Sequence, residues 1–146
     1  MPETQVVGRL TFRLTLDGGR LGRGLIREVS GLESETEVTE EKAEGELGEE
    51  LLRKVAGPTR WSNITLRRAV DENLDFWEWR EQVIQGGPEK ARKDGAIELI
   101  DYEGSPVATY HFENAWPVRY DVAVGRADEG GATETVEICV EHVERT

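Results

Sequence analysis

Apolar and polar residues alternate with a period of two along most of the chain, the signature of half-buried β-strands. In residues 5–16, Val6, Leu10, Phe12, Leu14 and Leu16 fall on one parity with Gly8 in their row, while Val7, Arg9, Thr11, Arg13 and Thr15 fall on the other. Asp17-Gly18-Gly19 marks a turn. Residues 24–30 read as a second short strand, closed by Gly31. Residues 32–40 alternate again: Glu33, Glu35 and Glu37 share one face, and Leu32, Ser34, Thr36 and Val38 share the other.

Between 41 and 58 the period is lost in a Glu-rich stretch punctuated by Gly45, Gly48, Gly57 and Pro58. This predicts a long irregular arm that breaks the sheet, with Leu47, Leu51 and Leu52 as anchors. Alternation resumes in residues 60–69, with Ile64 and Leu66 inward. Residues 96–102, 107–116 and 133–143 read as further strands, and Glu103-Gly104-Ser105-Pro106 as the turn of a hairpin. A short strand is expected near 118–124, within a segment broken by Pro117 and several glycines.

The one helical pattern covers residues 71–85. Leu74, Trp77 and Ile84 recur on one stripe with Phe76 and Val83 beside it, so Leu74, Trp77 and Ile84 are expected to pack the helix on the sheet. Asp71 or Asn73 is suited to cap its start, and Gly86-Gly87-Pro88 stops it. The expected fold is mainly β: an antiparallel barrel or sandwich of about seven to eight strands with one packed helix, a single domain over residues 1–146.

Composition narrows the function. The chain has 146 residues and a net charge of −12 from 18 basic and 30 acidic side chains. That balance opposes a nucleic-acid grip, which needs a basic footprint, and opposes docking on anionic lipid. The single cysteine, Cys139, excludes an intrachain disulfide and a thiolate metal cage. The Met-Pro-Glu-Thr-Gln start has no basic or apolar leader pattern, so cytoplasmic synthesis is expected. No apolar run approaches the roughly 20 residues of a spanning helix.

The sequence offers no catalytic constellation, cofactor site or metal site. The glycines of residues 19–24 lack the Lys-Ser/Thr and the following helix of a phosphate loop. Cys139 lies among Val136, Ile138 and Val140 with Glu137 and Glu141 nearby, an environment that raises a thiol pKa and suits a small apolar residue better than a nucleophile. His111 and His142 have no suitably spaced metal-ligand partners. The acidic stretch 33–50 is built from Glu without the Asp/Asn spacing of a calcium loop. Trp61, Trp77, Trp79 and Trp116 read as core and subunit-interface residues rather than a stacking platform for bases or sugars.

Several segments together resemble one family. They are LIREVSGLESETEV (25–38), LLRKVAGPTRWSNITLRRAV (51–70), DFWEW (75–79) and KARKDGAIELIDYEGSPVATYHFENAWPVRY (90–120), followed by an alternating strand. They are similar, in order and over almost the whole chain, to the inner tube proteins of contractile phage tails and extracellular contractile injection systems. The resemblance implies a β-barrel protomer with a flanking helix and a structural, non-enzymatic role. It implies homo-hexameric rings that stack into a hollow tube inside a contractile sheath. The implied partners are other copies of the chain, sheath protein, baseplate or hub proteins and tube-cap proteins. Cargo or DNA would pass through the lumen without sequence-specific binding, and no membrane insertion by the monomer is implied. The finished location would be a virion or contractile particle. The alternative from another class is a monomeric β-barrel binding module.

Two surfaces follow from combining the ring with the residue pattern. The stretch carrying Glu44, Glu46, Leu47, Glu49, Leu51, Leu52 and Arg53 is expected to form an arm that bonds stacked rings or adjacent subunits. Glu33, Glu35 and Glu37 are expected to face a water-filled lumen, with Arg67 and Arg68 as partial counter-charges.

Overall fold

A computed structural model describes residues 10–19, 21–125 and 131–146. Residues 5–9 of the first expected strand, Arg20 of the glycine-rich segment, and 126–130 lie outside the described residues. The strands are β1 (Leu10–Leu16), β2 (Leu21–Ile26), β3 (Glu28–Ser30), β4 (Ser34–Glu44), β5 (Glu50–Trp61), β6 (Ile64–Ala69), β7 (Lys93–Asp101), β8 (Pro106–Val124), β9 (Ala132–Cys139) and β10 (His142–Arg145). The helices are α1 (Asp75–Gly86) and the short α2 (Pro88–Ala91), and a single 3-10 turn covers Asp17–Gly19.

The main sheet is antiparallel, in the order β2-β1-β7-β8-β9-β6-β3, with β10 paired to β8. Its first and last strands are consecutive in the chain, separated only by Arg27. The Arg27 N–H donates to the Arg67 carbonyl at 2.8 Å. One residue thus joins the two edges of the sheet, which forces it to curl into a closed barrel. The expected strand over 24–30 is corrected here: it splits at Arg27 because one part pairs with β1 and the other with β6.

Strand β8 holds the barrel together. Its first half pairs with β7 and β10, and its second half pairs with β9. It changes neighbours at Asn114, whose φ of 53° is positive and whose N–H is held by Asp94 Oδ1 at 2.9 Å. The strand runs straight through Pro117, with a register shift between Pro117 and Arg119 that accommodates the missing donor. Gly95 on β7 permits the close approach of the strands. A Cβ there would lie 2.5 Å from Phe112 Cζ and 2.5 Å from the Thr15 carbonyl.

The inward rows follow the predicted parity. Leu14 and Leu16, Ile64 and Leu66, and Val136 and Ile138 are fully or almost fully buried, together with Ile97 and Phe112. The expected strand over 60–69 breaks at Ser62-Asn63, where β5 ends and β6 begins. Gly31 lies against this turn with φ 90°, and a side chain on it would strike the Asn63 carbonyl oxygen.

Two expectations are overturned. Residues 41–58 are not an irregular arm. They continue β4 and form most of β5, a separate two-stranded antiparallel ribbon. Alternation fails there because neither face of the ribbon meets the core: almost every side chain on both strands is exposed. The helix also starts later and uses another face. Phe76 and Trp79 are its buried residues, whereas Leu74, Trp77 and Ile84 are 57%, 49% and 65% exposed. The Trp79 Nε1–H donates to the Ala91 carbonyl at 2.6 Å, which ties α1 to α2. Leu74, rather than Asp71 or Asn73, occupies the cap position. Asn73 instead accepts the Asp75 N–H at 2.9 Å, and Asp71 accepts the Asn73 N–H at 2.8 Å, in a pair of side-chain turns leading into the helix.

Candidate assembly surfaces

The β4–β5 ribbon is the most conspicuous feature outside the barrel. Its register runs from Ser34↔Trp61 to Glu44↔Glu50, with a β-bulge opposite Glu37. Thr36 and Thr59 share a 2.8 Å hydroxyl hydrogen bond near its base. The Trp61 ring meets His142 edge-on at 5.2 Å, anchoring the base to β10. At the tip, Gly45 N–H donates to the Glu49 carbonyl at 2.8 Å, and Leu47 N–H donates to the Glu49 carboxylate at 3.0 Å. The Leu47 side chain itself is 94% exposed.

All seven residues expected in the arm therefore lie on this ribbon. Glu44 ends β4; Glu46, Leu47 and Glu49 form the tip; Leu51, Leu52 and Arg53 lie on β5. The strands carry complementary charge, with Glu35 opposite Arg60, Glu40 opposite Lys54 and Glu41 opposite Arg53. Exposed cross-strand pairs of this kind contribute only about 0.2–1 kcal/mol each. A free-standing two-stranded ribbon is marginal in water.

Glu33, Glu35 and Glu37 are all exposed. Glu35 and Glu37 line a shallow groove with Pro58 and Arg60. The expected counter-charges are corrected. Arg67 is paired with Glu28 at 3.0 Å, because β6 lies beside β3 rather than β4. Arg68 points the other way, into the barrel, where its Nε donates to Glu134 at 2.5 Å. The cation beside these glutamates is Arg60, across the ribbon.

The Arg68 cluster is the site that residue-by-residue reading missed. Arg68 and Glu134 are 3% exposed, and the Tyr120 hydroxyl donates to the second Glu134 oxygen at 2.8 Å. The Arg68 guanidinium stacks over Phe76 at 3.8 Å, linking the pair to α1. Burial first, and then the bond to Glu134, push the Tyr120 hydroxyl up to about 12. The signal was present: Arg68 continues the inward row of Ile64 and Leu66, and Glu134 the row of Val136 and Ile138.

Groups with chemical potential are dispersed. His111 meets Thr146 at 3.2 Å and His142 meets Glu144 at 3.3 Å, both exposed. Burial, with a smaller push from Glu141, raises the Cys139 thiol above its ordinary range. Among the described residues no group of three or more potential ligands could hold a metal ion. Among them too, no helix is long and apolar enough to cross a membrane.

Comparison with known families resolves what such an arrangement belongs to. The family model of the T4-like virus tail tube protein gp19 matches residues 9–144. The chain is a tail tube protein of that family. It is a structural tube subunit by family, in agreement with the resemblance read from its segments. Searching the curated proteins finds no match for this tail tube protein. Solved structures match its fold along almost the whole chain. A chain of the PVC extracellular contractile injection system sheath-tube complex in the extended state is 19% identical, with a TM-score of 0.78, covering 98% of this chain and 93% of that one. A chain of the anti-feeding prophage tube-terminating cap is 20% identical, with a TM-score of 0.79, covering 100% and 94%. Hcp1 from Flavobacterium johnsoniae is 19% identical, with a TM-score of 0.60, covering 92% and 94%. At these identities the likeness carries the fold: a curled antiparallel β-structure with one main helix.

Proposed function

We propose that this chain is the repeating subunit of the inner tube of a contractile phage tail or injection system, acting as one tail-tube-like domain over residues 1–146. In this reading homo-hexameric rings stack into a hollow conduit. Sheath protein surrounds it, a baseplate or hub starts it and a cap protein ends it. Cargo or DNA moves through the lumen without sequence-specific contact. The protein works as a conduit and not as a catalyst. It is made in the cytoplasm and ends in a virion or contractile particle.

The observation that carries this reading is the β4–β5 ribbon. It extends from a closed barrel and, among the described residues, pairs with no other strand. In the assembly the ribbon is the arm, with Glu44, Glu46, Leu47, Glu49, Leu51, Leu52 and Arg53 meeting a neighbouring subunit or ring. Glu33, Glu35 and Glu37 face the channel, where water solvates an array that a dry interface could not hold. A net negative wall also keeps anionic cargo from sticking. Negative-stain microscopy of the purified protein tests the reading. Sixfold rings or tubes are expected, and a monodisperse monomer at every salt concentration would refute it.

A further inference from the structure

Two of the chain's Asp and Asn residues are followed by glycine, in Asp17-Gly18 and Asp94-Gly95. A glycine in that place leaves its main-chain nitrogen unshielded, so the nitrogen can attack the carboxyl of the preceding aspartate. The two dipeptides lie side by side at one end of the barrel, because Leu16 pairs with Gly95. Both aspartates are exposed and meet the same solvent. What separates them is the backbone that carries them.

Asp94-Gly95 is locked. Both residues belong to β7, which lies between β1 and β8. Asp94 Oδ1 accepts the Asn114 N–H at the point where β8 changes neighbours, and moving the carboxylate would take the acceptor from that donor. Gly95 is hemmed in by the Phe112 ring, the Thr15 carbonyl and the Leu16 side chain. A ring built onto its nitrogen would have to displace packed atoms on both sides of the strand.

Asp17-Gly18 is open. It sits in the 3-10 turn between β1 and β2. Asp17 has a φ of 53°, in the left-handed region where a residue with a side chain is strained. Gly18 and Gly19 follow with φ of 75° and 92°. Beyond its chain neighbours, nothing lies within 4 Å of the position that a Cβ on Gly18 would take. Among the described residues no hydrogen bond or ion pair holds the Asp17 carboxylate.

We propose that Asp17 is a site of spontaneous isoaspartate formation in the folded protein, and that the strand and its packing protect Asp94 from the same reaction. The Gly18 nitrogen bonds to Cγ of the protonated Asp17 carboxyl. The carboxyl hydroxyl leaves with the amide hydrogen as water, which closes a five-membered succinimide. Water then adds back to the ring. Opening at Cγ restores Asp17, and opening at the main-chain carbonyl leaves the chain running through Cγ with a free α-carboxylate. No other reactant is consumed. The new link lengthens the main chain by one carbon in the turn that feeds β2, whose end leads through Arg27 into the closure of the barrel. The inference is independent of the tube-subunit reading.

Ageing the purified full chain at neutral pH and body temperature for several weeks tests it. Isoaspartate is read by methylation with protein L-isoaspartyl methyltransferase and placed by electron-transfer mass spectrometry of digests. In the folded protein it is expected to accumulate at Asp17 and to stay at background at Asp94. In urea both positions are expected to convert, because the strand no longer protects Asp94. Asp17→Asn keeps a residue that accepts the left-handed conformation, and its succinimide forms with loss of ammonia, so conversion is expected to be several-fold faster. Asp17→Glu is expected to lose the signal at residue 17, because its imide would need a six-membered ring. Circular dichroism melts confirm that each variant is folded. Equal conversion at Asp17 and Asp94 in the folded protein, or none at Asp17, would overturn the inference. So would an Asp94 that stays unconverted in urea, since its protection would then owe nothing to the fold.

Discussion

Arg68 and Glu134 face each other across β6 and β9 inside the barrel, with Arg68 Nε 2.5 Å from Glu134 Oε1 and both side chains almost fully buried. Tyr120 completes the carboxylate's bonding and Phe76 roofs the guanidinium, so the pair pins α1 to the sheet. Arg68 Nη2 is buried with no hydrogen-bond partner among the described residues, so the pair holds little surplus to absorb a loss. Removing one partner strands the other charge in the interior. Glu134→Ala is expected to lower stability by about 3–5 kcal/mol. Chemical denaturation checks it, and a loss below about 1 kcal/mol would show that the charge is solvated.

The helix face gives a paired prediction. Trp79→Ala empties a fully buried indole site and is expected to cost about 3–5 kcal/mol. Trp77→Ala removes a half-exposed ring and is expected to cost less than about 1.5 kcal/mol in the unassembled protein. Equal losses in denaturant unfolding of the two variants would contradict the helix orientation.

Tyr120 sets a titration at high pH. Its pKa is raised from 10.0 to about 12 in the folded chain. The folded state therefore holds this proton more tightly than the unfolded state. The stabilisation is fully present below pH 10 and is lost as pH rises towards 12. Ultraviolet absorbance is expected to show one tyrosine ionising near 12, a step that Tyr120→Phe removes. An unchanged high-pH step in that variant would assign it elsewhere.

Deleting Glu44–Glu50 removes the ribbon tip, which makes no contact with the barrel core. The monomer is expected to keep its unfolding midpoint while long tubes are lost. Tubes of normal length from the deletion, seen by electron microscopy, would remove the tip from the assembly contact.

Much of this was legible in the sequence, and the failures have physical causes. The rows Leu14/Leu16, Ile64/Leu66 and Val136/Ile138 were readable because one face of each strand meets the core. The start of β4 was also readable as a strand, but its continuation past Glu40 and strand β5 were not, because a strand solvated on both faces need not alternate. The helix shows two apolar stripes, and periodicity alone cannot say which of them meets the barrel. Leu74, Trp77 and Ile84 form the outward stripe, while Phe76 and Trp79 hold the inward one. The buried Arg68–Glu134 pair was written in the parity of its own strands. Its pairing needed the β6–β9 register, which is not local information.

The most direct test of the account is a cryo-electron microscopy reconstruction of the assembled protein. The account predicts a sixfold ring in which the far part of the ribbon, from Glu44 to Arg53, is buried against a neighbouring copy and Glu35 and Glu37 line a net negative channel. Ribbons projecting free into solvent, or a net positive channel, would contradict it.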